Sequence, residues 1–346
     1  MGRRGTPENP ASRFERIQVE PVLDEELPEP RVATEYFRDA SRSILVENDS
    51  PDLGFRWSLN PYRGCEHGCV YCYARPSHEY LGFRSGLDFE SRILVKEDAP
   101  VLLRKAFMNP RWVPEMVSLS GNTDCYQPIE HRLRITRRCL EVFAEFRNPV
   151  AIVTKSAIVL RDLDLLRELA RHDAVRVLVS VTTLNRELAD RLEPRAGRPE
   201  KRLEVIAGLA GAGIPVGVLV APVIPGLNDH EIPKILERVA RAGARTAAGI
   251  LLRLPAPVDR LFEDWLGRHY PRKRKHVLQR IRDCHGGKLN DPRFGIRMRG
   301  EGAYADQIAA LFRTLTPRYG MERRFPPPST AGFRRPAAAG VQGTLF

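Results

Sequence analysis

The stretch Asn60-Pro61-Tyr62-Arg63-Gly64-Cys65-Glu66-His67-Gly68-Cys69-Val70-Tyr71-Cys72-Tyr73 places three cysteines at the spacing C-x3-C-x2-C in a glycine-bearing loop. Three thiolates this close can hold three corners of a cubane iron–sulfur cluster. No fourth cysteine is local, so one iron would stay open to an outside ligand. A zinc site with His67 as its fourth ligand is the competing reading. Zinc favours two ligand pairs separated by a longer loop, and a histidine between two of the cysteines makes a tetrahedral chelate awkward. The remaining cysteines, Cys125, Cys139 and Cys284, are scattered, unlike the disulfide framework of a small secreted domain.

The loop follows a short segment near residues 55–60 that reads as a first strand. Beyond it, Val-, Ile- and Leu-rich runs at 116–120, 150–154, 175–181, 214–223 and 247–254 read as buried strands. Amphipathic stretches at 129–146, 161–171, 201–212 and 232–242 separate them. In Leu163, Leu166, Leu169 and Ala170 the apolar spacing of three or four is that of a helix covering a sheet. Regular strand–helix alternation predicts right-handed crossovers and a parallel sheet. Six such units are too few for a closed eight-fold barrel. The expected fold is therefore α/β, a partial TIM-type (β/α)6 barrel with its ligands beyond the strand C-termini. From Pro257 onward, segments at 261–268, 275–284 and 304–314 read as a helical C-terminal extension. The expected organisation is an extended lead-in over 1–54, a core barrel over 55–256, the helical extension over 257–323 and a mobile tail over 324–346.

The cysteine spacing, with an aromatic residue before the last cysteine, resembles the signature of the radical S-adenosylmethionine (SAM) superfamily. That resemblance implies a [4Fe-4S] cluster on Cys65, Cys69 and Cys72, with SAM chelated to the open iron. It also implies reductive cleavage to a 5′-deoxyadenosyl radical and a reducing donor of flavodoxin or ferredoxin type. The protein then positions a cofactor that does the difficult chemistry. Polar residues directly after the apolar runs suit a ligand bound at the barrel rim. They include Gly121, Asn122 and Asp124 after the second run, Lys155 after the third and Ser180 at the end of the fourth; 221–229 follows the fifth, where related barrels pass the adenine.

Cys69-Val70-Tyr71-Cys72-Tyr73, Thr123-Asp124 ahead of Ile129-Glu130-His131, and Val153-Thr154-Lys155 resemble the spore photoproduct lyase-like group, also labelled DNA repair photolyases. By that resemblance Tyr71 and Tyr73 match tyrosines of radical return, and Lys155 matches a SAM-binding lysine. Glu193 and Arg195 are candidates for the SAM ribose and carboxylate, the latter because a guanidinium grips carboxylate in two places. The group's lyase donates hydrogen from a cysteine three residues before the residue matching Asp124, and that position here is Gly121. Cys125 is the candidate substitute; a buried structural thiol is the alternative.

A formal net charge of +12 suits an anionic partner. The densest basic run spans 268–288, with Arg272, Lys273, Arg274 and Lys275 at its centre and one aromatic, Tyr270. Nucleic acid is the expected partner for it, and a solvated helix face is the alternative. No apolar run approaches the roughly 18 to 20 residues that span a bilayer, and the start, Met1-Gly2-Arg3-Arg4, lacks the apolar core of a secretory signal. A cytoplasmic protein without membrane contact is expected. The leading function is hydrogen abstraction from a DNA lesion or nucleic-acid base. Radical SAM modification of a peptide, protein or small molecule and a zinc-stabilised nucleic-acid binder are the alternatives.

Overall fold

Strands form where β-branched residues run together, and the computed structural model, which describes residues 4–14 and 32–336, pairs them as one main sheet. In chain order the strands are β1 (Glu35–Arg38), β2 (Leu45–Glu47), β3 (Trp57–Leu59), β4 (Tyr62–Arg63), β5 (Arg92–Val95), β6 (Val117–Leu119), β7 (Val150–Thr154), β8 (Val175–Ser180), β9 (Val216–Val223) and β10 (Thr246–Leu251). The helices are α1 (Leu87–Ser91), α2 (Ala99–Met108), α3 (Glu130–Leu133), α4 (Ile135–Phe146), α5 (Leu163–Arg171), α6 (Arg186–Leu192), α7 (Pro199–Gly211), α8 (Ile232–Arg241), α9 (Val258–His269), α10 (Arg274–Cys284) and α11 (Ala303–Arg318).

The main sheet runs β10-β9-β8-β7-β6-β3-β2, with β3, β6, β7, β8, β9 and β10 parallel in sequence order and β2 antiparallel on the β3 edge. Register places Leu59 beside Leu119, Leu119 beside Ile152, Ile152 beside Val177 and Val177 beside Val216. All five are fully buried, as a row through the middle of a covered parallel sheet must be. The crossover helices supply the cover. On α8 the buried side chains are Ile232, Ile235, Leu236 and Val239, one helical face. Burying such side chains contributes about 1.5–3 kcal/mol each. This is the expected open, partial TIM-type barrel.

The C-terminal helices close one end of it. Phe262, Trp265, Val277 and Ile281 from α9 and α10 share a core with Cys69, Val70 and Tyr71 of the cysteine loop and with Ile224 and Leu252 at strand ends. Among the described residues no helix is long and apolar enough to cross a membrane.

Three departures have physical causes. The helix expected over 129–146 breaks at Arg134, which adopts φ 52°. There the buried Glu130 carboxylate accepts the backbone N–H of Thr136 at 3.0 Å and caps a fresh start for α4. The lead-in is not simply extended. β2 extends the main sheet, while β1 pairs in parallel with β5, whose other side carries β4. Residues of β1 are all exposed, so no apolar alternation announced them. Gly5 and Glu8 also bond to Glu90 and Leu87, and residues 15–31 lie outside the described residues.

The tail expected to be mobile from 324 is packed as far as 336. Phe333 stands edge-on to Phe107, and Arg335 donates to the carbonyls of Phe107, Asn109 and Trp112. The remainder of that tail, 337–346, lies outside the described residues.

Candidate functional site

The cysteine loop leaves β3 at the C-terminal end of the sheet, where β4 is pinned to β5. Gly64 and Gly68 have φ of 81° and 68°, the left-handed region that favours glycine. The Cys65 N–H donates to the Phe89 carbonyl at 2.9 Å, Val70 N–H to Leu192 at 3.1 Å and Cys72 N–H to Cys69 at 3.3 Å. From below, the fully buried Arg75 donates through Nε to the Cys69 carbonyl at 2.9 Å, and its Nη2 pairs with the equally buried Glu90 at 2.5 Å. Glu66 is buried inside the loop. Its carboxylate accepts from the Ile129 N–H at 2.7 Å, Arg195 Nη2 at 2.9 Å and the Tyr36 hydroxyl at 3.0 Å.

Cys65 and Cys69 are buried and Cys72 is partly exposed; all three are free thiols. Burial pushes the Cys65 thiol well above its ordinary range, and the charges of Asp124, Cys69 and Cys72 push it further. Burial raises the Cys69 thiol as well, to about 12, so these two need a cationic centre to exist as thiolates, and three cysteines at this spacing suit three irons of a cubane. A mononuclear zinc fits less well. Among the described residues no group of three or more His, Cys, Asp and Glu side chains converges on a single ion. His67 is buried, its imidazole pushed below the ordinary pKa by desolvation, and its Nδ1 lies 3.4 Å from Asp124 Oδ2.

The rim residues separate into groups. Asp124 accepts from Thr154 Oγ1 at 2.9 Å and from the Lys155 N–H at 2.8 Å, so it ties the β6 turn to the end of β7. Burial alone would lower the Lys155 ammonium, but Cys69, Glu193 and Asp124 outweigh it and hold the amine charged. Its Nζ has no hydrogen-bond partner among the described residues. Ser180 is buried, and its carbonyl accepts from Arg202 Nη1 at 3.0 Å. Tyr73 is 47% exposed, its hydroxyl donates to the Gly121 carbonyl at 2.9 Å, and the Arg253 guanidinium lies over its ring at 4.8 Å. Exposed Asn122 donates through its backbone N–H to Asn60 Oδ1 at 2.9 Å.

Two of the expected SAM contacts are taken up by the protein's own groups. Glu193 accepts from the Tyr71 hydroxyl, from Thr182 Oγ1 at 2.7 Å and from Arg202 Nη2. Burial would raise this carboxyl, but the Arg202 and Lys155 charges hold it below the usual range. Arg195 is likewise engaged by Glu66. Cys125, expected as a hydrogen donor, is fully buried and its thiol belongs to the main core.

Arg202 and Glu66 escaped the sequence reading. Arg202 lies three residues before Val205 and seven before Leu209, so a charge on the buried face of α7 was the available signal. Glu66 carried none beyond its place between two cysteines.

The model of the Radical SAM superfamily matches residues 59–239. An uncharacterised protein of Mycobacterium tuberculosis is 34% identical over 297 residues, which span 85% of this chain and 83% of that one. The Radical SAM Nalpha-GlyT isomerase of Pseudomonas phage M6 is 27% identical over 185 residues, 53% of this chain and 36% of that protein. Spore photoproduct lyase complexed with dinucleoside spore photoproduct superposes with a TM-score of 0.57 at 19% identity, covering 83% of this chain and 80% of that one.

Proposed function

Because the chain belongs to the Radical SAM superfamily and is an enzyme of that class, which works with an iron–sulfur cluster and SAM, we propose that it abstracts hydrogen from a nucleic-acid substrate, a lesion or a base. Cys65, Cys69 and Cys72 would hold the cluster as [4Fe-4S]. When bound, the reduced cluster with SAM supplies a 5′-deoxyadenosyl radical.

The observation that carries the reading is the cysteine loop itself. It presents three free thiols, and among the described residues no fourth protein ligand joins them, while His67 is turned to Asp124. The other residues orient and insulate. Arg202 and Thr182 hold Glu193, Glu193 holds the Tyr71 hydroxyl, and Tyr71 packs in the core shared by Cys69 and the C-terminal helices. Lys155 keeps a positive charge beside Cys69, suited to a carboxylate. Tyr73 stands at the open side, where a radical relay would meet a substrate.

Three things support nucleic acid as the substrate. Arg272, Lys273 and Lys275 are exposed with no carboxylate partner among the described residues. The net charge is +12. The fold is shared with a lyase whose structure holds a dinucleoside photoproduct. The radical-return role of Tyr73, a flavodoxin- or ferredoxin-type donor and a cytoplasmic setting complete the proposal. The test incubates anaerobically reconstituted, dithionite-reduced protein and SAM with ultraviolet-irradiated DNA and with bulk RNA. A SAM-dependent change in a nucleoside supports the reading. Deoxyadenosine release without any nucleoside change, while peptide or small-molecule extracts are altered, overturns it.

A further inference from the structure

Arg253, just past the C-terminal end of β10, is half-buried, yet its guanidinium has no hydrogen-bond or ion-pair partner among the described residues. It lies over the Tyr73 ring, 4.8 Å from the centroid. Tyr73 in turn is anchored to Gly121, so the guanidinium lies on a fixed platform beside the last cysteine of the loop. A guanidinium offers five N–H donors in a rigid fork, and partly burying it unpaired is costly. Such a position is stable when an anion completes it.

The surrounding charges leave room for one anion. Arg297 is close enough to repel Arg253. The nearby carboxylate, Asp52, is already spent on Arg297 Nε at 2.5 Å and the Gly295 N–H at 2.6 Å. The mouth of the site therefore keeps positive charge that Asp52 does not offset. The flanking aromatics are open: Tyr73 is 47% exposed, and Phe294, under the Arg297 guanidinium at 4.6 Å, is 57% exposed. A forked cation beside exposed rings is the pairing that takes a backbone phosphate and an adjacent base.

We propose that Arg253, stacked on Tyr73, is an anion grip at the mouth of the site and binds a phosphodiester of the substrate. The assignment rests on the nucleic-acid reading above and gives it a residue. Its test compares binding of thymidylyl-thymidine, which carries one phosphodiester, with the same dinucleoside joined by a neutral methylphosphonate. Both are titrated by calorimetry into anaerobically reconstituted wild type, Arg253→Gln and Arg253→Lys, with N-acetylglutamate as a carboxylate probe.

Wild type is expected to prefer the charged dinucleotide roughly tenfold or more, the worth of a hydrogen bond to a charged group. Arg253→Gln should erase that preference, and Arg253→Lys, which keeps the charge without the fork, should retain part of it. Thermal melts confirm that each variant is folded. If Arg253→Gln does not fold, the Lys variant carries the comparison, and an undiminished preference there overturns the forked grip. An undiminished preference in Arg253→Gln, equal binding of the two dinucleotides by wild type, or tighter binding of N-acetylglutamate also overturns the proposal. Each leaves the superfamily reading intact, since SAM cleavage by wild type is scored separately. Absent cleavage with the preference intact fails the enzymatic reading alone.

Discussion

The two ends of the parallel sheet are built from different chemistry. At the N-terminal end of β6 and β7, Phe107, Phe146, Trp112 and Phe333 pack tilted and edge-on into an aromatic plug, with ring centroids 5.3–6.4 Å apart. At the C-terminal end a set of buried charges, Glu66, Arg75, Glu90, Glu193 and Arg202, stands beside the apolar core that α9 and α10 share with the cysteine loop. The aromatic end contributes stability by burying apolar area. The charged end can at best break even against the cost of desolvating its ions, and what it secures is position. Arg75 holds the Cys69 carbonyl, Glu66 joins the loop to Arg195 and Tyr36, and Glu193 fixes Tyr71. The buried charges that position the site thus lie at one end of the fold, beside an apolar core of their own.

The largest effect should come from breaking the charged end. Arg75→Ala leaves Glu90 buried without its ion-pair partner, and removing one member of such a pair costs about 3–5 kcal/mol. Urea denaturation of the reconstituted protein should show that loss together with reduced iron content, because the Cys69 carbonyl loses its donor. Phe146→Ala at the other end should cost about 3–5 kcal/mol through cavity formation, with iron per folded chain unchanged. If both variants lose iron alike, the division between the ends fails.

A smaller effect is expected at the outer face of the loop. A Cβ on Gly5 would stand 1.6 Å from the Gly68 carbonyl oxygen, so Gly5→Ala must lift residues 4–14 off the loop. Losing the Gly5 N–H bond to Glu90 should cost about 1–2 kcal/mol, and limited proteolysis should cut within 4–14 in this variant and spare the wild type.

The smallest is expected at the exposed start of α5. Asp164, in the first turn of α5, is held at about 2 by its hydrogen bond to Arg137. Its folded pKa is depressed, so its contribution is complete above the unfolded value near 3.8 and is lost as pH falls through 2. The side chain is largely exposed, and solvent screening limits the contribution to about 0.5 kcal/mol. Asp164→Asn should flatten the acid limb of the stability profile by that much and leave iron content unaltered.

The same contrast explains what was legible in the sequence. Apolar periodicity announces burial, so the strand over 150–154 and the face of α8 were readable. β1 and β2, short and exposed, follow their partners' edges and carry no pattern of their own. Phe333 was hidden within an Ala/Gly/Arg-rich tail because its partners lie more than 180 residues away in sequence. In the site, cysteine spacing is local and therefore visible. Glu193 and Arg195 were read as candidates for holding SAM, but which groups satisfy them depends on Arg202 and Glu66, brought in by the fold. Cys125 follows the rim residue Asp124 directly, and only the structure shows that its thiol joins the core.

The most direct test of the account is the iron content and deoxyadenosine yield of anaerobically reconstituted wild type beside Cys69→Ala. The account predicts a brown wild-type protein with roughly four irons per chain that forms 5′-deoxyadenosine from SAM after dithionite reduction, and a variant that loses both properties. A colourless wild type holding a single zinc, with no SAM cleavage, would contradict it.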